Sequence, residues 1–283
     1  MIREARYAGS WYEGSESRLK VTLKNFFQVD DRGPKKIPQV NEEGPREIIG
    51  IVSPHAGYIY SAAIAAHAYA EVALDGKPDV FIIVGIDHRG VGTSPASIQL
   101  EGGWKTPLGT AKINNPIASD ILTNSRKIAD SPGAHRIEHS LELQVPFIQY
   151  MYGSDVEIVP IIISSGSLSV FQDVGNAVGN ACKGKNAVLI ASTDFTHMET
   201  AEEARTQDQK AINAILKLDE DLLYNTVKKN RISMCGYGST STVIAASKIM
   251  GATKASLIKY GHSGEVSGDN NQVVGYGSIK ITK

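Results

Sequence analysis

Ile48–Tyr60 reads IIGIVSPHAGYIY. Its first half is apolar and rich in β-branched residues, and the run stops at Ser53 and Pro54. That pattern predicts a buried strand delivering His55 onto a tight loop at its carboxyl end. Pro54 stiffens the turn, and Gly57 lets a ligand or another backbone approach closely. Two later stretches repeat the device. VFIIVGIDH (80–88) ends on His88, and AVLIASTDFTH (187–197) carries Asp194 and His197. Strands of one parallel sheet would place these side chains along a single edge. Open α/β sheets bind ligands at that edge, so these loops are expected to make a metal-type site.

Around these strands, apolar runs alternate with segments of helical spacing. Ser15–Phe27 has the helical repeat of Leu19, Leu23 and Phe27. Helices are expected at 62–73, 116–128, 168–181, 199–216, 219–229 and 241–250, and further strands at 97–100 and 156–163. The strands expected at 255–260 and 273–281 could form a hairpin at one edge. The alternation predicts one three-layer α/β/α domain over residues 1–283, with a mostly parallel or mixed central sheet. Asp30–Arg46 is polar and broken by Gly33, Pro34, Pro38, Gly44 and Pro45, the signature of an exposed loop. Tyr7, Trp11 and Tyr12 cluster around Gly9 and read as an arm laying aromatic rings on the core. The sharper reading has Trp11 lining a pocket.

Composition narrows the function classes. Of 283 residues, 42% are hydrophobic and 21% charged, enough for a large core. The net charge of −1 argues against a broad nucleic-acid footprint. The first residues, MIREARYAGSWYEG, lack the apolar core of a signal peptide, and no apolar run reaches the ~18 residues of a membrane span. A soluble, cytoplasmic protein is expected, with Cys182 and Cys235 as reduced thiols rather than a disulfide framework.

Each candidate residue has an ordinary reading beside its chemical one. Asp194 has the placement of an N-cap on a helix starting near Met198. If the segment is helical instead, Asp194 and His197 share a face, and Asp194 orients His197 for acid–base work. Cys235, in a loop before a helix, is either an inert buried thiol or a thiol whose pKa is lowered by the helix N-terminus and a metal. Cys182 lacks comparable partners and reads as structural. Glu138 and Glu142 are four apart around His139, in the spacing of a polar network supporting the site. His67 and His135 read as ordinary residues. GHSGE at 261–265 has Glu265 where a nucleophile elbow needs glycine, and no Walker-type phosphate loop occurs. Imidazoles with a thiolate or carboxylate suit Fe(II), Zn(II) or copper.

In chain order, AGSWY (8–12), SPHAGYIYS (53–61), VGIDH (84–88), TPLG (106–109), EHSLELQVPF (138–147), STDFTH (192–197), MCG (234–236) and VVGYGSI (273–279) resemble the Memo family. The resemblance implies a fold like the catalytic subunit of class III extradiol dioxygenases. It implies a metal held by His55, His88 and Cys235, where the dioxygenases have Glu at the Cys position. It also implies Asp194 and His197 as the remaining pocket residues, with His197 at the acid–base position, and Trp11 and Tyr60 as lining aromatics. The family grouping implies AMMECR1-like and radical-SAM partners. The implied function is a metal-dependent, non-haem redox or oxygenase-like activity on a small molecule. The alternative is a non-catalytic module for phosphopeptides or proteins, its pocket vestigial and Arg89 supplying a cation. Gly85-Ile86-Asp87-His88-Arg89 departs from the family's more usual G-P-S-H-H. Replacing a carboxylate by a thiolate favours copper or zinc and adds sensitivity to oxidation.

Overall fold

A computed structural model describes residues 1–43 and 46–283; Gly44 and Pro45 of the expected loop lie outside the described residues. Its centre is four parallel strands in the order Glu157–Ile163, Val80–Ile86, Ala187–Ser192, Ile48–Ser53. Almost every residue in them is buried. A strand covered on both faces needs an unbroken apolar run, which is why these four lack the polar alternation of a one-sided sheet. The register pairs Ser53 with Ser192, Val84 with Ala191 and Ile86 with Ile163. His55, His88 and Asp194 therefore leave the sheet from one end.

Among the described residues the sheet has twelve strands and is mixed. Val273–Thr282 adds antiparallel to Ile48–Ser53 and forms a hairpin with Lys254–His262 at that edge, as expected. On the other side Gly109–Ile113 adds in parallel and Ala96–Ile98 antiparallel. Helices cover both faces. The alanine-rich Tyr58–Asp75 packs on Ile48–Ser53 and the edge hairpin, and Tyr237–Ile249 packs on the parallel strands with Leu168–Cys182 against it. That helix pair is close because Gly175 and Gly179 face it. A Cβ at either position would lie 2.8 Å from Thr242 O or 2.9 Å from Ala246 O, respectively. One hydrophobic core runs from Tyr7 to Ile281. Among the described residues, no helix is long and apolar enough to cross a membrane.

Several boundaries differ from the sequence expectation, and local hydrogen bonds explain them. The helix expected over 116–128 ends at Asn124, because Ser125 Oγ accepts the amides of Lys127 and Ile128 and turns the chain into the short strand Ile128–Asp130. The helix expected from 199 starts at Ala201. Thr200 caps it in a reciprocal box with Glu203, and His197–Glu199 pairs with Val273–Val274 as a short strand. Asp194 is thus neither a helix cap nor on a helical face with His197. The helix expected from 241 begins at Tyr237, directly behind Cys235 and Gly236.

His135 is fully buried, edge-on to Trp104 at 5.8 Å, with no hydrogen-bond partner for either ring nitrogen among the described residues. Burial, reinforced by the nearby Arg3 charge, pushes its pKa down to about 3. The folded state keeps this ring neutral, whereas the unfolded chain protonates it below about 6.5. Stability is therefore full above that value and falls as pH drops toward 3, by up to about 1.4 kcal/mol per pH unit from this group. Urea midpoints measured between neutral and mildly acid pH should flatten by about one proton's worth of slope in His135→Leu. An unchanged slope would show that His135 does not carry this dependence.

Candidate metal centre

His55 is 1% exposed and is held from three sides. Its amide donates to Asp194 Oδ1 (2.8 Å), and the carbonyl of Pro54 accepts from Gln144 Nε2 (3.0 Å). Its Nδ1 lies 2.9 Å from Ser192 Oγ. That hydroxyl has one proton, which it donates to Ser140 O (2.6 Å), and it already accepts from Gln144 Nε2 (2.8 Å). Only an acceptor lone pair remains for His55, so Nδ1 carries the proton and Nε2 is a free lone pair.

His88 has the same polarity. Its Nδ1 lies 2.9 Å from Glu138 Oε1, and its amide donates to Oε2 (2.8 Å). Burial raises the pKa of Glu138, but the His88 hydrogen bond and the charges of His88 and His139 outweigh it and bring the carboxyl down to about 2. An ionised carboxylate only accepts, so His88 is protonated at Nδ1 and presents Nε2 as well. A carboxylate behind an imidazole is the usual device for orienting a metal-binding histidine.

Cys235 Sγ sits 3.3 Å from His55 Nε2 and accepts from the Asp194 amide (3.3 Å). With the tautomer of His55 settled, the thiol is the donor in the first contact. The helix behind Cys235 does not lower its pKa. Burial, then the Asp194 charge, pushes the thiol up, because removal from water penalises a thiolate more than a nearby helix end favours it. The donor atoms of His55, His88 and Cys235 lie within 4.8 Å of one another. Tetrahedral coordination at ordinary Zn–N and Zn–S lengths separates N and S by about 3.5 Å, close to the 3.3 Å found. His88, Glu138 and His139 are also near enough to share an ion. However, Glu138 is already engaged by the amides of His88, His139 and Ser140 and by the His88 ring. The donor set with the sulfur fits better.

Asp194 is 4% exposed, and burial raises its carboxyl, opposed by the His55 amide and the His197 charge. His197 is half-buried and opens the short strand His197–Glu199. Its Nδ1 lies 3.0 Å from Ser233 O, which can only accept, so Nε2 is again the free nitrogen. Trp11 packs tilted against His139 at 4.4 Å and edge-on to Tyr7 at 5.4 Å. It also lines a cavity of ≈ 410 Å³ with Tyr12 and Tyr58. Tyr60 lies in the first turn of Tyr58–Asp75, 38% exposed, its carbonyl taken by Arg32. Among the described residues its ring makes no aromatic contact with the imidazoles.

Sequence reasoning underrated His139. It stacks on His88 at 4.2 Å and stands edge-on to His55 at 5.3 Å, and burial followed by those two rings takes its pKa to about 3. Ser192 and Gln144, which set the His55 tautomer, carry no motif of their own in the sequence. Their only sequence signal is position, at a strand's last residue and in the polar run of 138–144.

A family model described as "Memo-like protein" matches residues 3–280. MEMO1 family proteins of Methanopyrus kandleri and Methanosarcina acetivorans are 39% and 44% identical over 99% of this chain, spanning 98% and 99% of their own lengths. One of Desulfurococcus amylolyticus is 42% identical over 97% of this chain and 96% of its own. Among solved structures, an uncharacterized protein from Escherichia coli K12 superposes with a TM-score of 0.56 over 83% of this chain and 99% of its own. At 12% identity, that likeness concerns the fold alone. Since the matches to the family run from the N-terminal arm to the last strand, the chain belongs to the Memo family.

Proposed function

We propose that His55, His88 and Cys235 hold a divalent transition metal, Fe, Cu or Zn, in a protein with redox or oxygenase-like activity on a small molecule. One observation carries this reading: one ligand atom from each of His55, His88 and Cys235 lies within 4.8 Å of the others, and the Nδ1 protons of both imidazoles are committed elsewhere. When bound, Fe or Cu would supply redox chemistry and Zn Lewis-acid polarisation. The chain's own residues do the rest. The Cys235 thiol gives up its proton on binding, so loading releases acid. His197, fixed by Ser233, takes or returns a proton at Nε2 beside Asp194. Trp11 and His139 wall the site and limit water. A reduced Cys235 suits the cytoplasm.

Elemental analysis of protein purified without added metal should find roughly one Fe, Cu or Zn per chain, or restore it on titration. Less than about a tenth of an equivalent under both conditions would overturn the assignment. Glu138→Gln keeps the shape but loses the carboxylate behind His88. Metal affinity should fall about 10- to 100-fold, read by competition with a chelator; an unchanged affinity would mean that Glu138 does not orient His88.

The second reading is a phosphopeptide-binding module. It draws on Arg89, an exposed guanidinium beside His88 that, among the described residues, has one bond, to Tyr7 Oη at 3.4 Å. A His55→Ala protein that loses metal but keeps peptide affinity would favour it. From the family resemblance we extend the proposal to AMMECR1-like and radical-SAM partners, which co-purification from native cells tests.

A further inference from the structure

A second cleft, of ≈ 470 Å³, opens beside the N-terminal strand, and none of its lining residues is one of the clustered imidazoles. Met1, Ile2 and Pro132 give it apolar walls, and Met1 and Ile2 are 83% and 49% exposed. Arg6 and Arg136 stand in its lining. Neither guanidinium has a hydrogen-bond or ion-pair partner among the described residues. A third arginine, Arg3, also lines the cleft but is unavailable. It is buried and donates to His135 O (2.6 Å), Glu142 Oε2 (2.6 Å) and Glu138 O (2.8 Å). The one acid in the lining, Glu4, is drawn off to Lys105 at 3.1 Å. The cleft therefore combines two unspent guanidinium groups, no free carboxylate and an apolar wall. Its volume lies in the range of small-molecule sites.

We propose that this cleft binds a small organic anion, a phosphate or carboxylate head on an apolar body, with Arg6 and Arg136 gripping the head. Guanidinium forks match both kinds of head. The apolar body would cover Met1, Ile2 and Pro132, which otherwise face water. This site is independent of the metal assignment, since none of its lining residues is a proposed ligand.

Calorimetric titration of the full chain with phenyl phosphate, benzoate and inorganic phosphate tests the proposal. Phenyl phosphate or benzoate should bind, and inorganic phosphate should bind at least roughly tenfold more weakly than phenyl phosphate because it lacks the apolar body. Losing each charged partner should weaken binding roughly tenfold, so Arg6→Met/Arg136→Met should lose about 100-fold. Both side chains are exposed, so the fold should survive. Gly133 supplies a second variant: it lines the cleft and a Cβ there meets nothing within 4 Å, so Gly133→Leu should narrow the cleft and weaken binding with both arginines present. Methyl NMR of Met1 and Ile2 should shift on titration. The proposal is overturned if neither organic anion binds up to about 10 mM, or if the double variant binds as tightly as the unmodified chain.

Discussion

Replacing His55 with alanine is expected to leave a folded protein with no stoichiometric metal. The substitution removes one of three donors and the ring whose orientation depends on Ser192 and Gln144. Loss of a residue that only orients a ligand already weakens metal sites about 10- to 100-fold, so loss of the ligand itself should exceed about 100-fold. His55 is buried, and its removal orphans hydrogen-bonding groups, which should lower stability by about 1–3 kcal/mol. His67→Ala is the matched control. His67 lies on Tyr58–Asp75, and its Nε2 bonds Arg32 O at 2.8 Å, so that variant should keep its metal. Elemental analysis and a urea titration of both proteins make the comparison. A His55→Ala protein that retains a full equivalent would remove the basis of the proposed centre.

The largest expected stability effect lies outside the donor set, at Glu142. Its carboxylate is 1% exposed and accepts from Arg3 (2.6 Å), the amides of Arg6 (3.1 Å) and Tyr7 (2.8 Å), and Tyr12 Oη (2.8 Å). Those bonds fasten the N-terminal arm, and with it Trp11, against the wall of the site. Glu142→Ala strands a buried guanidinium and orphans the other donors. A loss of about 3–5 kcal/mol is expected, since breaking a buried pair leaves one charge uncompensated. Arg3→Met/Glu142→Met should recover part of that loss by removing the stranded charge. Denaturant unfolding measures both. A Glu142→Ala protein within about 1 kcal/mol of the unmodified chain would show that the arm is held by its aromatic packing instead.

Much of the architecture was legible because burial on two faces leaves a local mark. The runs at 48–52, 80–86, 158–163 and 187–191 are each apolar throughout, and the break after each is abrupt. The positions of His55 and His88 at strand ends could be read the same way. The path of 193–200 could not. Asp194 looks like a cap, and its real role depends on the amide of His55, 139 positions away. Helix onset at Ala201 rather than earlier was decided by pairing of His197–Glu199 with Val273–Val274, a contact with no local signal.

Residue pattern alone determined the class of fold, the common end from which the candidate side chains emerge, and the chemical types available there. Local apolar periodicity and turn residues suffice for that, because they act over neighbouring positions. Only the tertiary structure decided which nitrogen each imidazole presents, that His139 stacks into the cluster, and that burial keeps the Cys235 thiol protonated. Each of these depends on hydrogen bonds or exclusion of water by residues distant in the chain. A lone pair's direction and a group's dielectric surroundings are set by whatever packs against it, not by its neighbours in sequence.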